Sequence, residues 1–327
     1  MKKILLIRFS SIGDIVLTSP VIRCIKRQIP DAELHFATKE VYLQLIANNP
    51  YIDRIHIFCE SMNEIIPQLQ KENFYHVVDL HKNIRSLMLR SKLKKPTTSY
   101  PKLSLQKWLM VNFRINLLPN LHIVDRYFKA VSSLGVKNDG MGLEYYINPY
   151  DEVFPDQVPA EFRSGYVGFA IGGKNQTKML PLEKIIAICQ KINKPVILLG
   201  GIEDREKGEK VVMELGQRVF NACGLFNLNQ SVYLIKQAEM IIAHDTGLMH
   251  IAAALKKKII SVWGNTIPGL GMFPYFPERL KENYSVFEVK NLSCRPCSKL
   301  GYNVCPAGHF KCMLLQDEEA IATKANS

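Results

Sequence analysis

The strongest constraint on this chain is a recurring alternation of short apolar runs, polar loops and amphipathic stretches. Lys3 to Phe9 is an apolar run of strand length, and Ser10-Ser11-Ile12-Gly13-Asp14 has turn chemistry. Ser19-Pro20 then offers an N-cap and a proline at the first helical position, opening a helix through Val21 to Ile25. Glu33 to Ala37 reads as the next strand. Tyr75 to Leu80 reads as another, followed by a helix containing Arg85, Leu87, Met88 and Leu89. A second series has strands at Tyr166 to Ile171, Pro195 to Leu199, Met240 to Ala243 and Ile259 to Trp263. Its helices fit Pro181 to Ile192, Glu203 to Leu215, Asn229 to Ala238 and Leu248 to Leu255. Strands alternating with helices at this spacing predict parallel βαβ units. Between the series lies a polar stretch, Asn148 to Arg163, dotted with Pro149, Pro155 and Pro159. The expectation is an α/β chain of two doubly wound halves, 1–158 and 159–327, which suits a 327-residue length at about 150 residues per domain. Ligands in such sheets bind beyond the carboxyl ends of the strands.

Composition narrows the partners. Hydrophobic residues at 47% and charged residues at 22% exclude a disordered, collagenous or disulfide-stapled chain. Forty-two Lys+Arg against 30 Asp+Glu leave +12, which points to anionic partners. The runs Lys92-Leu93-Lys94-Lys95 and Lys256-Lys257-Lys258 are equally readable as solvated faces. No helix-turn-helix or aromatic-basic RNA signature is present, so nucleic acid is not the expected partner. No apolar stretch reaches the roughly 18 residues of a membrane span. The opening apolar run ends at Arg8, so no export signal is evident and a cytoplasmic location is expected.

The standard nucleotide signatures, G-x-x-x-x-G-K-[ST] and G-x-G-x-x-G, are absent, as is H-E-x-x-H. No aspartate is followed two positions later by another, so amides and cationic side chains must stabilise any diphosphate. The segment Ile241-Ile242-Ala243-His244-Asp245-Thr246-Gly247-Leu248-Met249-His250 ends an apolar strand in a polar turn, and an alanine-rich helix begins at once. That places free N–H groups at the carboxyl end of a sheet, a ready anion site. Gly247 permits close approach, Thr246 offers a hydroxyl, and His250 lies in the first turn. Asp245 competes with an anion and reads as a helix cap or as an acceptor from ribose or loop amides. A plain capped turn fits the same residues equally well.

Gly172-Gly173-Lys174-Asn175-Gln176-Thr177-Lys178 is a second glycine-bearing basic loop, with Lys178 within reach of a diphosphate. Gly200-Gly201-Ile202-Glu203-Asp204 adds an acidic group suited to sugar hydroxyls. Each alone is compatible with a surface loop, but the three converge. In the first half, Asp14 occupies the equivalent position and is either a turn cap or a general base for an acceptor hydroxyl.

These residues carry a resemblance. Ile7-Arg8-Phe9-Ser10-Ser11-Ile12-Gly13-Asp14 through Ser19-Pro20, and His244-Asp245-Thr246-Gly247 through Leu255, resemble glycosyltransferase family 9, the ADP-heptose:lipopolysaccharide heptosyltransferases. Asp79-Leu80-His81-Lys82-Asn83-Ile84-Arg85-Ser86, Lys178-x-x-Pro181 and the closing Cys-Pro…Gly-His…Cys-Met segment add to it. The resemblance spans almost the whole chain. It implies a GT-B fold, two Rossmann-like domains facing across a cleft, with a final helix crossing back to the first. It implies inverting, metal-independent transfer of heptose from ADP-heptose to the lipopolysaccharide inner core or a related anionic glycolipid, with no cofactor. The catalytic base maps onto Asp14 and the diphosphate-binding lysine onto Lys178. The donor site maps onto Gly173, Glu203, Phe226, Asp245, Thr246, Gly247 and His250, and acceptor contacts onto Ser10, Ser11, Lys82 and Arg85. The chain departs from the family at Gly172-Gly173-Lys174, where hydroxyls are frequent, and at Phe226, where some members carry methionine. A rival within the GT-B class is a UDP-sugar transferase or epimerase. The basic surface fits peripheral contact with the inner membrane, where such acceptors reside.

Eight cysteines divide unevenly. Cys24, Cys59, Cys189 and Cys223 lie singly in apolar contexts and read as small core residues. Cys294-x-x-Cys297, Cys305 and Cys312 have ligand-like spacing, with His309 as a spare donor. The segment reads either as a structural metal site or as reduced packed thiols with local pairing, and no catalytic metal is implied.

Overall fold

The computed structural model describes residues 2–327. Its contacts divide into two units, one running to Leu103 and resuming over Leu121–Tyr146, the other comprising Ser104–Asn120 and Ile147–Ser327. In chain order the first part contains β1 (Lys2–Ile7), α1 (Ile12–Val16), α2 (Ser19–Gln28), β2 (Ala32–Lys39), β3 (Arg54–Phe58), α3 (Ile66–Lys71), β4 (His76–Asp79), α4 (Ile84–Leu93) and β5 (Thr97–Ser99). Helix α5 (Ser104–Phe113) groups with the second unit, and α6 (Ile123–Phe128) with the first. The second unit then runs β6 (Val167–Ala170), α7 (Leu182–Lys191), β7 (Val196–Leu199), α8 (Arg205–Leu215), β8 (Val219–Asn221), α9 (Leu228–Gln237), β9 (Met240–His244), α10 (Gly247–Ala254), β10 (Lys258–Trp263), β11 (Tyr284–Glu288), α11 (Lys311–Leu314) and α12 (Glu318–Asn326). No helix among the described residues is long and apolar enough to cross a membrane.

Both sheets are parallel. The first has order β3-β2-β1-β4-β5 and the second β11-β10-β9-β6-β7-β8. Central strands buried on both sides read as continuous apolar runs, which is why Leu5, Leu6 and Ile7, or Ile241 and Ile242, were legible as strands. Leu5, Ile7, Phe9, Phe58, Leu69 and Leu89 form one core. Phe169, Ile188, Leu198, Ile242, Val262 and Ile321 belong to another. Strand order reverses between β1 and β4 in the first sheet and between β6 and β9 in the second. In open α/β sheets, ligands bind beyond the carboxyl ends of the strands at switch points of this kind.

Three local expectations are corrected. Ile12–Val16 is a turn of helix rather than a plain turn, and the next helix is capped by Thr18, so that Ser19 and Pro20 lie inside its first turn. The strands β3, β5, β8 and β11 escaped the sequence reading because they are short or carry polar residues at sheet edges. The final helix, expected to cross back to the first lobe, is held by residues of the second unit. Lys184 pairs with Glu318 at 2.5 Å, Lys191 pairs with Glu319, and the Asn193 N–H donates to Asn326 at 2.8 Å.

Candidate active site

In the first unit the switch point is organised by Arg8, the residue that follows β1. Its side chain is buried, and the guanidinium donates to the carbonyls of Ser10 (2.7 Å) and Leu80 (2.5 Å) and to the Tyr127 hydroxyl (3.1 Å). Its remaining nitrogen pairs with Asp14 Oδ1 at 2.7 Å. One guanidinium thus ties the loop after β1 to the loop after β4, using the planar fork that arginine alone supplies. Asp14 accepts from the Ser11 hydroxyl at 2.9 Å and keeps 24% of its side chain exposed. Burial opposes ionisation of this carboxyl, but the Arg8 charge and the Ser11 donors outweigh it and hold its pKa below the ordinary carboxylate range. Asp14 is therefore a charged, partly accessible acceptor at neutral pH. Ser10 is half-buried and Ser11 exposed beside it.

The adjoining loop is shaped by Asp79, fully buried at the end of β4. Its carboxylate accepts from the backbone N–H groups of His81 (2.9 Å) and Lys82 (2.8 Å) and from the Ser86 hydroxyl (2.8 Å). Lys82 takes a left-handed backbone conformation (φ 49°), and its ammonium donates to the Tyr100 carbonyl at 2.9 Å. Arg85 is exposed in the first turn of α4. His81 is driven down to about 4 by burial first and then by Arg8, so a neutral imidazole sits at this crevice.

In the second unit the loops after β6 and β9 meet. The Lys178 ammonium lies 2.6 Å from Asp245 Oδ2 and 3.2 Å from the Asp245 carbonyl, and Thr266 donates to the same Oδ2 at 2.9 Å. The two side chains are 16% and 10% exposed. The expectation that Asp245 caps the helix is corrected: Thr246 is the N-cap of α10, and Asp245 is occupied by Lys178 and Thr266. The Thr246 hydroxyl oxygen is buried with no hydrogen-bond partner, beside the first turn of α10. A Cβ on Gly173 would stand 3.1 Å from Thr246 Cγ2 and 3.3 Å from Met179 Cγ, so only a glycine lets these two loops approach so closely without adjustment. His244 Nε2 accepts from the Leu180 N–H at 3.0 Å, fixing the segment after Lys178. Gly247 begins α10, and His250 is buried one turn in.

Not every expected donor residue joins this centre. Glu203 is exposed in the loop after β7, its carboxylate folded over Gly201, and it forms no ion pair with Lys178. Phe226 is half-buried ahead of α9. The sequence reading missed Arg8 and Thr266. The signal for Arg8 was a charge set directly against a fully buried strand, with a carboxylate six positions on.

The carboxy-terminal cysteines are all free, and no group of three or more His, Cys, Asp or Glu among the described residues stands in a set able to hold a metal as placed. Burial pushes the Cys312 thiol up to about 11, with neighbouring thiols adding to the effect and Arg295 opposing it.

Two parallel sheets, each with polar loops converging at its switch point, define a two-domain α/β chain of the GT-B fold class. Comparison with known proteins agrees. A glycosyl transferase family 9 structure from Veillonella parvula matches with a TM-score of 0.74 at 22% identity, over 99% of this chain and 96% of that one. The ADP-heptose lipopolysaccharide heptosyltransferase II of Escherichia coli matches at 0.71 and 18% identity, over 100% of both. In sequence, lipopolysaccharide heptosyltransferase 1 of Campylobacter coli is 25% identical over 297 residues, 81% of this chain and 84% of that protein. The model of glycosyltransferase family 9 (heptosyltransferase) matches residues 62–304. The chain belongs to that family and is a glycosyltransferase.

Proposed function

We propose that this enzyme transfers heptose from ADP-heptose to the lipopolysaccharide inner core or a related anionic glycolipid, with inversion and without a metal at the diphosphate. The observation that carries the reading is the Lys178–Asp245 pair at the β6/β9 switch point, beside the start of α10. A cation and helix-terminal amides at one crevice are what a diphosphate leaving group requires. As ADP departs, Lys178 and the amides of residues 246–248 take up the developing charge, with Gly173, Thr246, Gly247 and His250 shaping the pocket. Asp245 holds Lys178 in place before the donor arrives. Glu203 and Phe226 serve the sugar and the adenine.

Asp14 takes the proton from the acceptor hydroxyl as that oxygen attacks the anomeric carbon on the face opposite ADP. Ser10, Ser11, Lys82 and Arg85 contact the acceptor. A +12 chain attracts an anionic leaflet, each nearby Lys or Arg contributing about 1 kcal/mol, so the reading includes salt-sensitive peripheral association with the cytoplasmic face of the inner membrane.

A donor panel tests it. ADP-heptose should be used at least about a hundredfold better than UDP-sugars, a ratio attainable when a pocket hydrogen-bonds the correct base. The product should be inverted, and added Mg²⁺ or Mn²⁺ should not raise the rate. Preference for a UDP-sugar, or epimerisation without transfer, overturns the assignment.

A further inference from the structure

Between Leu80 and Val124 the chain has no Asp or Glu and nine Lys or Arg, so these 45 residues supply +9 of the net +12. Inside that window lies α5, which buries none of its ten residues although six of them are apolar. Leu105 (64% exposed), Trp108 (51%) and Phe113 (57%) stand open to solvent, and after the helix Ile115 (48%) and Leu117 (60%) do the same. Trp108 and Phe113 meet edge to face with ring centres 5.2 Å apart, so they present one aromatic patch. A polar clasp ties the segment to the second unit: Arg114 donates to the carbonyls of Ser293 (3.0 Å) and Cys294 (2.9 Å). A surface helix ordinarily turns its apolar stripe toward the core. An apolar face kept out of the core and set among cations marks a contact site.

We propose that Leu105, Trp108, Phe113, Ile115 and Leu117 insert into an anionic lipid bilayer, and that the acid-free stretch around them supplies the attraction to its headgroups. The inference rests on the peripheral membrane contact proposed above and names the segment that makes it. A ten-residue helix is about 15 Å long, half of what crossing needs, so it lies in the interface rather than spanning. Tryptophan favours that layer because its ring is apolar while the indole N–H still finds a polar partner. Asn112, exposed on the same helix, donates to the Trp108 carbonyl at 2.8 Å, which lowers the cost of carrying its amide toward lipid.

A lipid surface suits this segment better than a protein partner. With no carboxylate in the window, it offers nothing to pair with a partner's basic groups, as a complementary protein interface would. Anionic headgroups attract each cation without demanding a fixed geometry. The exposed apolar side chains continue past the helix end at Ile115 and Leu117, a spread that a fluid layer accommodates. Insertion also adds a component of binding that salt does not screen, whereas an attraction between exposed charges is screened. The outcome is an enzyme held on the surface where a lipid-linked acceptor lies.

The test uses the full chain and vesicles of phosphatidylethanolamine with phosphatidylglycerol. The chain has two tryptophans and Trp263 is only 1% exposed, so a lipid-dependent change in emission reports Trp108. Vesicles should shift the emission to the blue, and bromine on the acyl chains should quench it, at low and at raised salt. Trp108→Ser should abolish both signals. Leu105→Ser combined with Trp108→Ser should lower partitioning into the vesicles at least about tenfold, because burying each large apolar side chain is worth about that factor. The melting temperature and ADP affinity of that variant should match wild type. Binding that raised salt removes, with no blue shift and no quenching, overturns insertion and leaves the charge-driven contact standing. Absence of vesicle binding overturns both. A blue shift that grows with protein concentration in the absence of lipid assigns the face to a second copy of the chain and overturns the lipid assignment. None of these results bears on donor choice, which the donor panel decides.

Discussion

Lys178 and Asp245 lie 67 positions apart in the chain and meet at 2.6 Å, because parallel neighbours β6 and β9 release their loops at the same end of one sheet. The contact is a consequence of topology: β7, β8 and their helices are built on one side of β6 before the chain returns on the other. A cation and a carboxylate so placed hold each other in register until an anion competes for the lysine.

Lys178→Ala should weaken ADP binding by roughly tenfold or more and lower kcat/KM by at least about a hundredfold, the scale of removing one charge-stabilising group. Calorimetric ADP titration and initial rates check this. Unchanged ADP affinity contradicts a diphosphate role for the lysine. The variant also leaves Asp245 only 10% exposed without its cation, so the melting temperature should fall as well.

With Asp14 as the proposed base, Arg8 should set the acid limit of the reaction. Its charge, working against burial, keeps the Asp14 carboxyl below the usual range, so the base remains ionised and the rate should hold as pH is lowered to that range. In Arg8→Lys the ammonium cannot reproduce contacts to Ser10, Leu80, Tyr127 and Asp14 together. The acid limb of its pH–rate profile should move to higher pH. An acid limb identical to wild type shows that Arg8 does not tune Asp14.

A buried histidine pair should make stability depend on pH in the acid range. His35 Nδ1 and His56 Nε2 are 2.8 Å apart, His35 contacts Glu33 at 3.0 Å, and Glu72, Arg54 and Gln68 surround them. Burial first, then His35, drives His56 from 6.5 to about 4. Between those values the unfolded chain binds the extra proton, so stability is full above pH 6.5 and falls as pH drops toward 4. The loss is about 3 kcal/mol for this depressed histidine. His56→Gln should flatten that segment of the stability–pH curve measured by urea unfolding. An unchanged slope contradicts the assignment.

Much of this was legible in the residues. Central strands announced themselves as apolar runs, and Lys178, Asp245 and Thr246 fall in segments that the alternation already placed at strand ends, whereas Asp14, read as part of a turn, lies in the short helix α1. What the residues did not disclose were partnerships set by sheet order. Asp245 reads as a cap when only its neighbours Thr246 and Gly247 are considered. Its pairing with Lys178 and Thr266 follows from β9 lying between β6 and β10. Arg8 was hidden for the same reason, since its partners Leu80 and Tyr127 are 72 and 119 residues away. Edge strands such as Thr97–Ser99 are too short to show a period.

Single-turnover transfer by Asp14→Asn, with ADP affinity measured in parallel, bears most directly on the account. The substitution keeps the shape of the side chain and removes its proton affinity. A general base should show a loss of at least about a hundredfold in the transfer rate with ADP binding unaltered. Turnover near the wild-type rate contradicts it.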